Sequence, residues 1–180
     1  MRAGFYVLAG LLAGCGAAAR SSQAPPAEEG VVRLDVPLFP DRTDQCGPAA
    51  LAGVLQFWGN GVPVDALKRE IYRAALKGSL SVDLFIAAQD HGMSARLLDG
   101  GLAQVKKELD AGHPLVAFVN QGLSFLPIGH YLVVTGYDPR RHGLYVNSDA
   151  RKDAFMTDAS FERQWEGMDR WALLILPSRG

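Results

Sequence analysis

Thiols are scarce in this 180-residue chain: it has two cysteines, beside four histidines. So few exclude a disulfide-rich scaffold, and neither cysteine has a second cysteine or a histidine at ligand spacing, so no metal centre is expected. Charge of one sign is also lacking. Eighteen Lys and Arg against nineteen Asp and Glu leave a formal net charge of -1, which gives no reason to expect nucleic acid or an anionic membrane surface as a partner. No internal repeat is visible, and no cofactor is expected. The apolar run Phe5 to Leu12 is too short to span a bilayer. What remains is 48% hydrophobic, enough for one globular domain with a real core.

What is present begins with an export signal. Arg2 precedes the apolar run, which ends in Leu12-Ala13-Gly14-Cys15. That order of charge, apolar stretch, small residues and cysteine resembles a bacterial lipobox. The resemblance implies a signal peptide over residues 1–14 and a diacylglycerol on the sulfur of Cys15. Gly16 in place of Asp resembles outer-membrane sorting in a Gram-negative cell, with the domain facing the periplasm. Residues 15–30, rich in Ala, Ser, Pro, Gln and Glu, read as a lipidated tether. Residues 31–180 read as one domain. Lipidation would consume Cys15 and leave Cys46 as the sole free thiol, and a lone cysteine in an exported chain flags reactivity.

Within the domain the hydrophobic periodicity changes halfway. Val31 to Pro40 reads as an extended lead-in. Leu51, Val54, Leu55 and Trp58 recur at helical spacing and predict a helix that starts near Cys46 and stops at Gly59-Asn60-Gly61. Further helices are expected over Val64 to Leu76, from Ser81 to about His91, and from Leu102 to Gly112. The second half is β-rich. Strands are expected at Pro114 to Val119, Tyr131 to Tyr137, Leu144 to Val146 and Trp171 to Leu176, with a short helix over Ser160 to Trp165 and a short strand at Ala95 to Leu98. Helices first and antiparallel strands second imply an α+β domain.

Cys46 would occupy the first turn of its helix, where backbone N–H groups and the helix dipole favour thiolate over thiol. Such positions lower a cysteine pKa from about 8.5 to roughly 3.5–7.5. Gly47 leaves room for a substrate backbone, and Pro48 is tolerated in a first turn. A free cysteine taken alone is most often a small buried hydrophobe; the company of His130 points elsewhere. His130 opens the most apolar strand and can act as the base that nucleophilic cysteine chemistry needs. His91, His113 and His142 read as structural. A third group should orient the imidazole, and Asn147 and Asp149, at the end of the following strand, are the candidates.

The segments Val36-Pro37, Cys46-Gly47-Pro48-Ala49-Ala50-Leu51, Gly129-His130-Tyr131 and Gly136-Tyr137-Asp138 resemble the bacteriocin-processing cysteine peptidases, family thirty-nine of the papain-like clan. The C-terminal run with Phe161, Trp165 and Trp171 resembles a standalone lipoprotein branch of that family. The resemblance spans Val31 to about Leu176. It implies a papain-like fold, the nucleophile helix packed on a C-terminal antiparallel sheet. It also implies peptide or protein substrates, export-system partners, Cys46 as nucleophile, His130 as base and a third member at or beside Asn147, with Asn147 favoured over Asp149. Family members commonly carry a Gln five or six residues before the cysteine as an oxyanion donor. Here those positions hold Asp41 and Pro40; Gln45 is the nearest amide, and Asp149 stands as an accessory carboxylate. The expected function is a lipid-anchored cysteine peptidase, and the alternative is a weak or inactive peptide-binding scaffold on the same fold.

Overall fold

The computed structural model describes Met1, residues 30–40 and residues 44–178. The lipobox with Cys15, most of the tether, and Asp41 lie outside the described residues. No helix among them is long and apolar enough to cross a membrane.

The chain enters through a short strand β1 (Val32–Arg33) and reaches helix α1 (Cys46–Phe57), followed by α2 (Val64–Ile71). A small hairpin, β2 (Tyr72–Arg73) and β3 (Gly78–Ser79), leads into α3 (Ser81–Asp90), β4 (Met93–Leu97) and α4 (Leu102–Asp110). Then come β5 (Leu115–Asn120), β6 (Gly129–Asp138), β7 (Gly143–Ser148), β8 (Arg151–Thr157), α5 (Asp158–Glu166) and β9 (Ala172–Pro177). The main sheet runs β4-β9-β5-β6-β7-β8, and β1 also pairs with β6. Every ladder is antiparallel.

The sheet is apolar on both faces, and successive residues of a strand serve different layers. Val116, Tyr131, Val133, Leu173 and Ile175 pack with α1, α2 and α3. Leu115, Ala117, Val119, Leu132, Val134 and Leu174 pack with α4 and α5 through Val105, Leu109, Phe161 and Trp165. The expected α+β domain with its nucleophile helix on an antiparallel sheet is therefore present, and the second face is covered as well.

Helix α1 departs from the amphipathic reading. It is buried continuously from Gly47 to Leu55. Its small residues, Ala49, Ala50, Ala52 and Gly53, close the sides that a surface helix would give to water. A Cβ on Gly53 would stand 2.8 Å from the carbonyl oxygen of Pro37, so the lead-in segment can cross the helix only over glycine. Trp58 Nε1 donates to Ile175 O at 2.8 Å and ties the far end of α1 to β9.

Two elements differ from expectation. The helix expected over Val64 to Leu76 ends at Ile71, and the chain turns into the β2–β3 hairpin through a 3-10 turn at Ala74–Leu76. Arg73 grips Asp83 of α3 at 2.7 and 2.9 Å, and Tyr131 donates to Ser79 O at 3.2 Å; tertiary partners outweigh local helix propensity here. Strand β8 carries no signal in Arg151-Lys152-Asp153, because one of its edges is open and its side chains are mostly half-buried or exposed.

Candidate active site

The site forms where the N-terminus of α1 meets the start of β6 and the turn after β7. Gln45 is the residue before the helix, its side chain making no cap hydrogen bond, and no acidic residue occupies the first turn. Ala49 N–H closes on Gln45 O at 2.9 Å. The positive end of the helix dipole therefore acts on Cys46 without a neutralising carboxylate in that turn. Cys46 is half-buried.

Gly47 lets this first turn sit close to the β2–β3 hairpin: a Cβ there would stand 3.0 Å from both Ser79 Cβ and Ser79 Oγ. Ser79 Oγ is buried and has no hydrogen-bond partner among the described residues. Tyr131 holds the hairpin in place. Its ring stacks on Phe118 at 4.4 Å. Its hydroxyl donates to Ser79 O at 3.2 Å and lies 2.9 Å from Ser81 Oγ. The Tyr131 pKa is pushed up to about 12, chiefly by burial, with the nearby Cys46 sulfur adding to it. Tyr131 is thus a neutral donor throughout the physiological range.

Cys46 and His130 line one cleft of about 380 Å³, together with Asp44, Lys77, Ser79, Gly129 and Tyr131. Cys46 also lines a second cavity of about 20 Å³, walled by Pro37, Phe39, Asn147, Ser148 and Asp149, room for about one water. His130 is 6% exposed. Its Nε2 lies 3.0 Å from Ser148 Oγ and 3.7 Å from Asp149 Oδ1.

The candidates for third member separate at this point. The Asn147 amide is engaged elsewhere: Nδ2 donates to Val36 O at 2.9 Å and Oδ1 accepts from Asp153 N at 2.9 Å. Strand alternation is the reason. Asn147 pairs with Val133 and so shares the face that packs on α1. His130 lies an odd number of residues from Val133, and side chains alternate. Ser148, one step on, faces the ring instead. Asp149 reaches the same ring because the chain leaves the strand there with φ 55°, a left-handed conformation that Asp tolerates. Ser148 is the site residue that reading the sequence missed. Its only signal was position: the last residue of a strand adjoining the histidine strand.

The remaining histidines are engaged away from the cleft or in a turn. His113 Nδ1 lies 2.9 Å from Glu108 Oε2, His91 Nε2 lies 3.1 Å from Glu70, and His142 sits in a turn with φ 50°. Among the described residues no group of three or more His, Cys, Asp or Glu could hold a metal ion.

The profile of the Peptidase_C39 like family matches residues 33–173. No curated protein matches the chain. Among solved structures, a double glycine motif protease from an AMS/PCAT transporter, in complex with its leader peptide, superposes with TM-score 0.66 at 23% identity, covering 82% of this chain and 95% of that one. The peptidase domain of Streptococcus ComA gives 0.65 at 22% identity, covering 79% and 98%. A protein from Bacillus anthracis described as a C39-like peptidase gives 0.67 at 20% identity, covering 84% and all of that chain. At these identities the superpositions show the shared fold, and the profile match over most of the chain shows the family. With a cysteine at a helix N-terminus and a buried histidine lining one cleft, this chain belongs to the Peptidase_C39 like family and carries its papain-like cysteine-peptidase fold.

Proposed function

We propose that the protein is a cysteine peptidase, anchored in the cell envelope through lipid on Cys15, that hydrolyses exported peptides. The observation that carries the reading is the shared cleft: the Cys46 sulfur at the head of a buried helix, with the His130 ring in the same cavity. A neighbouring fold bound to a leader peptide supports a peptide as substrate class.

In this reading the Cys46 thiol gives its proton to His130, and the sulfur attacks a peptide carbonyl carbon. The oxyanion that forms is met by N–H groups of the first turn of α1. As the carbon–nitrogen bond breaks, His130 returns the proton to the leaving amine. A thioester remains on Cys46. His130 then takes a proton from water, the hydroxide adds to the thioester, and the carbon–sulfur bond breaks to release the acid. Asp149, 3.7 Å from Nε2, supplies negative charge that favours the imidazolium.

The test is alkylation of the envelope-free domain by iodoacetamide across pH, with the adduct mapped, beside turnover of a peptide library. A Cys46 that alkylates well below the free-thiol pKa of about 8.5, and loses this in His130→Ala, supports the reading. An ordinary profile unchanged by His130→Ala overturns it. Depressed alkylation without hydrolysis of any peptide supports the second reading, a peptide-binding scaffold, which Asp41 at a usual Gln position favours. Lipid mass on the N-terminal peptide of the mature chain tests the anchor.

A further inference from the structure

Ser148 lies between the histidine and its carboxylate, and the distances assign it a role. At 3.7 Å, Asp149 Oδ1 is too far from His130 Nε2 to accept a hydrogen bond. Ser148 Oγ, at 3.0 Å, is close enough. The serine hydroxyl donates to Asp149 Oδ2 at 3.2 Å, and a hydroxyl has a single proton to give. With that proton committed to the carboxylate, Oγ accepts from Nε2–H. The imidazole is thereby set in the tautomer whose proton-accepting lone pair lies on Nδ1.

We infer that Ser148 is the positioning residue of this site, a hydroxyl that couples the exposed Asp149 carboxylate to the buried His130 ring and fixes its tautomer. The inference rests on the peptidase reading above and adds a residue to it. Burial makes the coupling necessary. Ser148 is 6% exposed and the His130 side chain 8%, while the Asp149 side chain is 46% exposed and also shared with Arg151 at 3.7 Å. A carboxylate so hydrated holds a ring weakly on its own; a buried hydroxyl between them transmits its orientation without bringing the charge inside. Among the described residues, the other charged or titratable groups that line the cleft with His130 are Cys46 at the head of α1, Tyr131 beside it on β6, Asp44 and Lys77.

The experiment compares iodoacetamide alkylation of Cys46 across pH in the unaltered chain, Ser148→Ala, Ser148→Thr and His130→Ala. Loss of a hydrogen bond to a charged partner corresponds to about a tenfold drop in the alkylation rate near neutral pH in Ser148→Ala. The profile should narrow from both limbs, because the imidazolium is less favoured and the thiolate loses its partner. Ser148→Thr keeps the hydroxyl and should restore most of the rate. A Ser148→Ala profile that superimposes on the unaltered one, while His130→Ala changes it, overturns the role of Ser148 and leaves the peptidase reading standing. An unchanged His130→Ala profile overturns both. Nitrogen-15 spectra of histidine in the Cys46→Ser chain give a readout that needs no Ser148 variant. A neutral His130 protonated on Nε2 is expected, and one protonated on Nδ1 overturns the assignment.

Discussion

Two histidine–carboxylate pairs in this molecule have opposite arrangements. Between α4 and the sheet, the Glu108 carboxylate is buried and takes donors from Arg96 at 2.7 Å and Gln104 at 2.9 Å, with His113 at 2.9 Å. At the cleft it is the histidine that is buried, and its carboxylate, Asp149, stands half in water. A buried carboxylate surrounded by donors is locked and stabilises structure. A buried imidazole whose Nε2 is held by a hydroxyl is fixed in orientation, and a ring so held can exchange protons with a substrate. The same two residue types serve stability in one place and reactivity in the other, according to which partner is dry.

The comparison breaks most sharply on activity. His130→Ala should lower peptide turnover by about 10²–10⁴, while His113→Ala should leave turnover near that of the unaltered chain. Steady-state rates on one cleaved peptide decide it, and equal losses would erase the distinction.

Stability should respond the other way. Glu108→Ala removes the buried carboxylate that Arg96, Gln104 and His113 share and should cost about 1–3 kcal/mol in urea unfolding, with the Cys46 alkylation profile unmoved.

The Glu108 pair also has a pH signature. Burial pushes its pKa up, but the bonds from His113, Arg96 and Gln104 outweigh that and hold it below the ordinary glutamate value. A depressed folded pKa contributes stability that is fully present above the unfolded value and lost as pH falls through the folded one. Glu108→Gln should therefore flatten the loss of thermal stability on acidification below about pH 4.3. A parallel decline in both chains would remove Glu108 from the acid limb.

The smallest effect is expected at Asn147. Asn147→Ala removes the tie to Val36 O and should cost about 1 kcal/mol of stability. It should shift the alkylation profile less than Ser148→Ala does. A larger shift would return Asn147 to the ring.

Much of this was legible locally. Loop residues before Cys46, Pro48 in a first turn and the spacing from Leu51 to Trp58 place the helix start in sequence. The β-rich runs after Pro114 place the strands. The β2–β3 hairpin was not legible, because Arg73 finds Asp83 and Tyr131 finds Ser79 only after α3 and the sheet have come together. Nor was β8, whose polar residues follow neither period. The amphipathic reading of α1 missed its second buried side because alanine and glycine carry little hydrophobic signal, yet they are what close approach requires.

Residue order alone determined that a cysteine begins a helix, that a histidine stands at the start of an apolar strand, and that polar residues gather at the end of the next strand. Which of those polar residues meets the ring was decided by the folded sheet. Neighbouring side chains on a strand point to opposite faces, so the pairing of Asn147 with Val133 turns it toward α1 and gives the ring to Ser148. The left-handed turn at Asp149 then brings a carboxylate back to within 3.7 Å of the same nitrogen, a distance set by register and backbone conformation rather than by spacing along the chain.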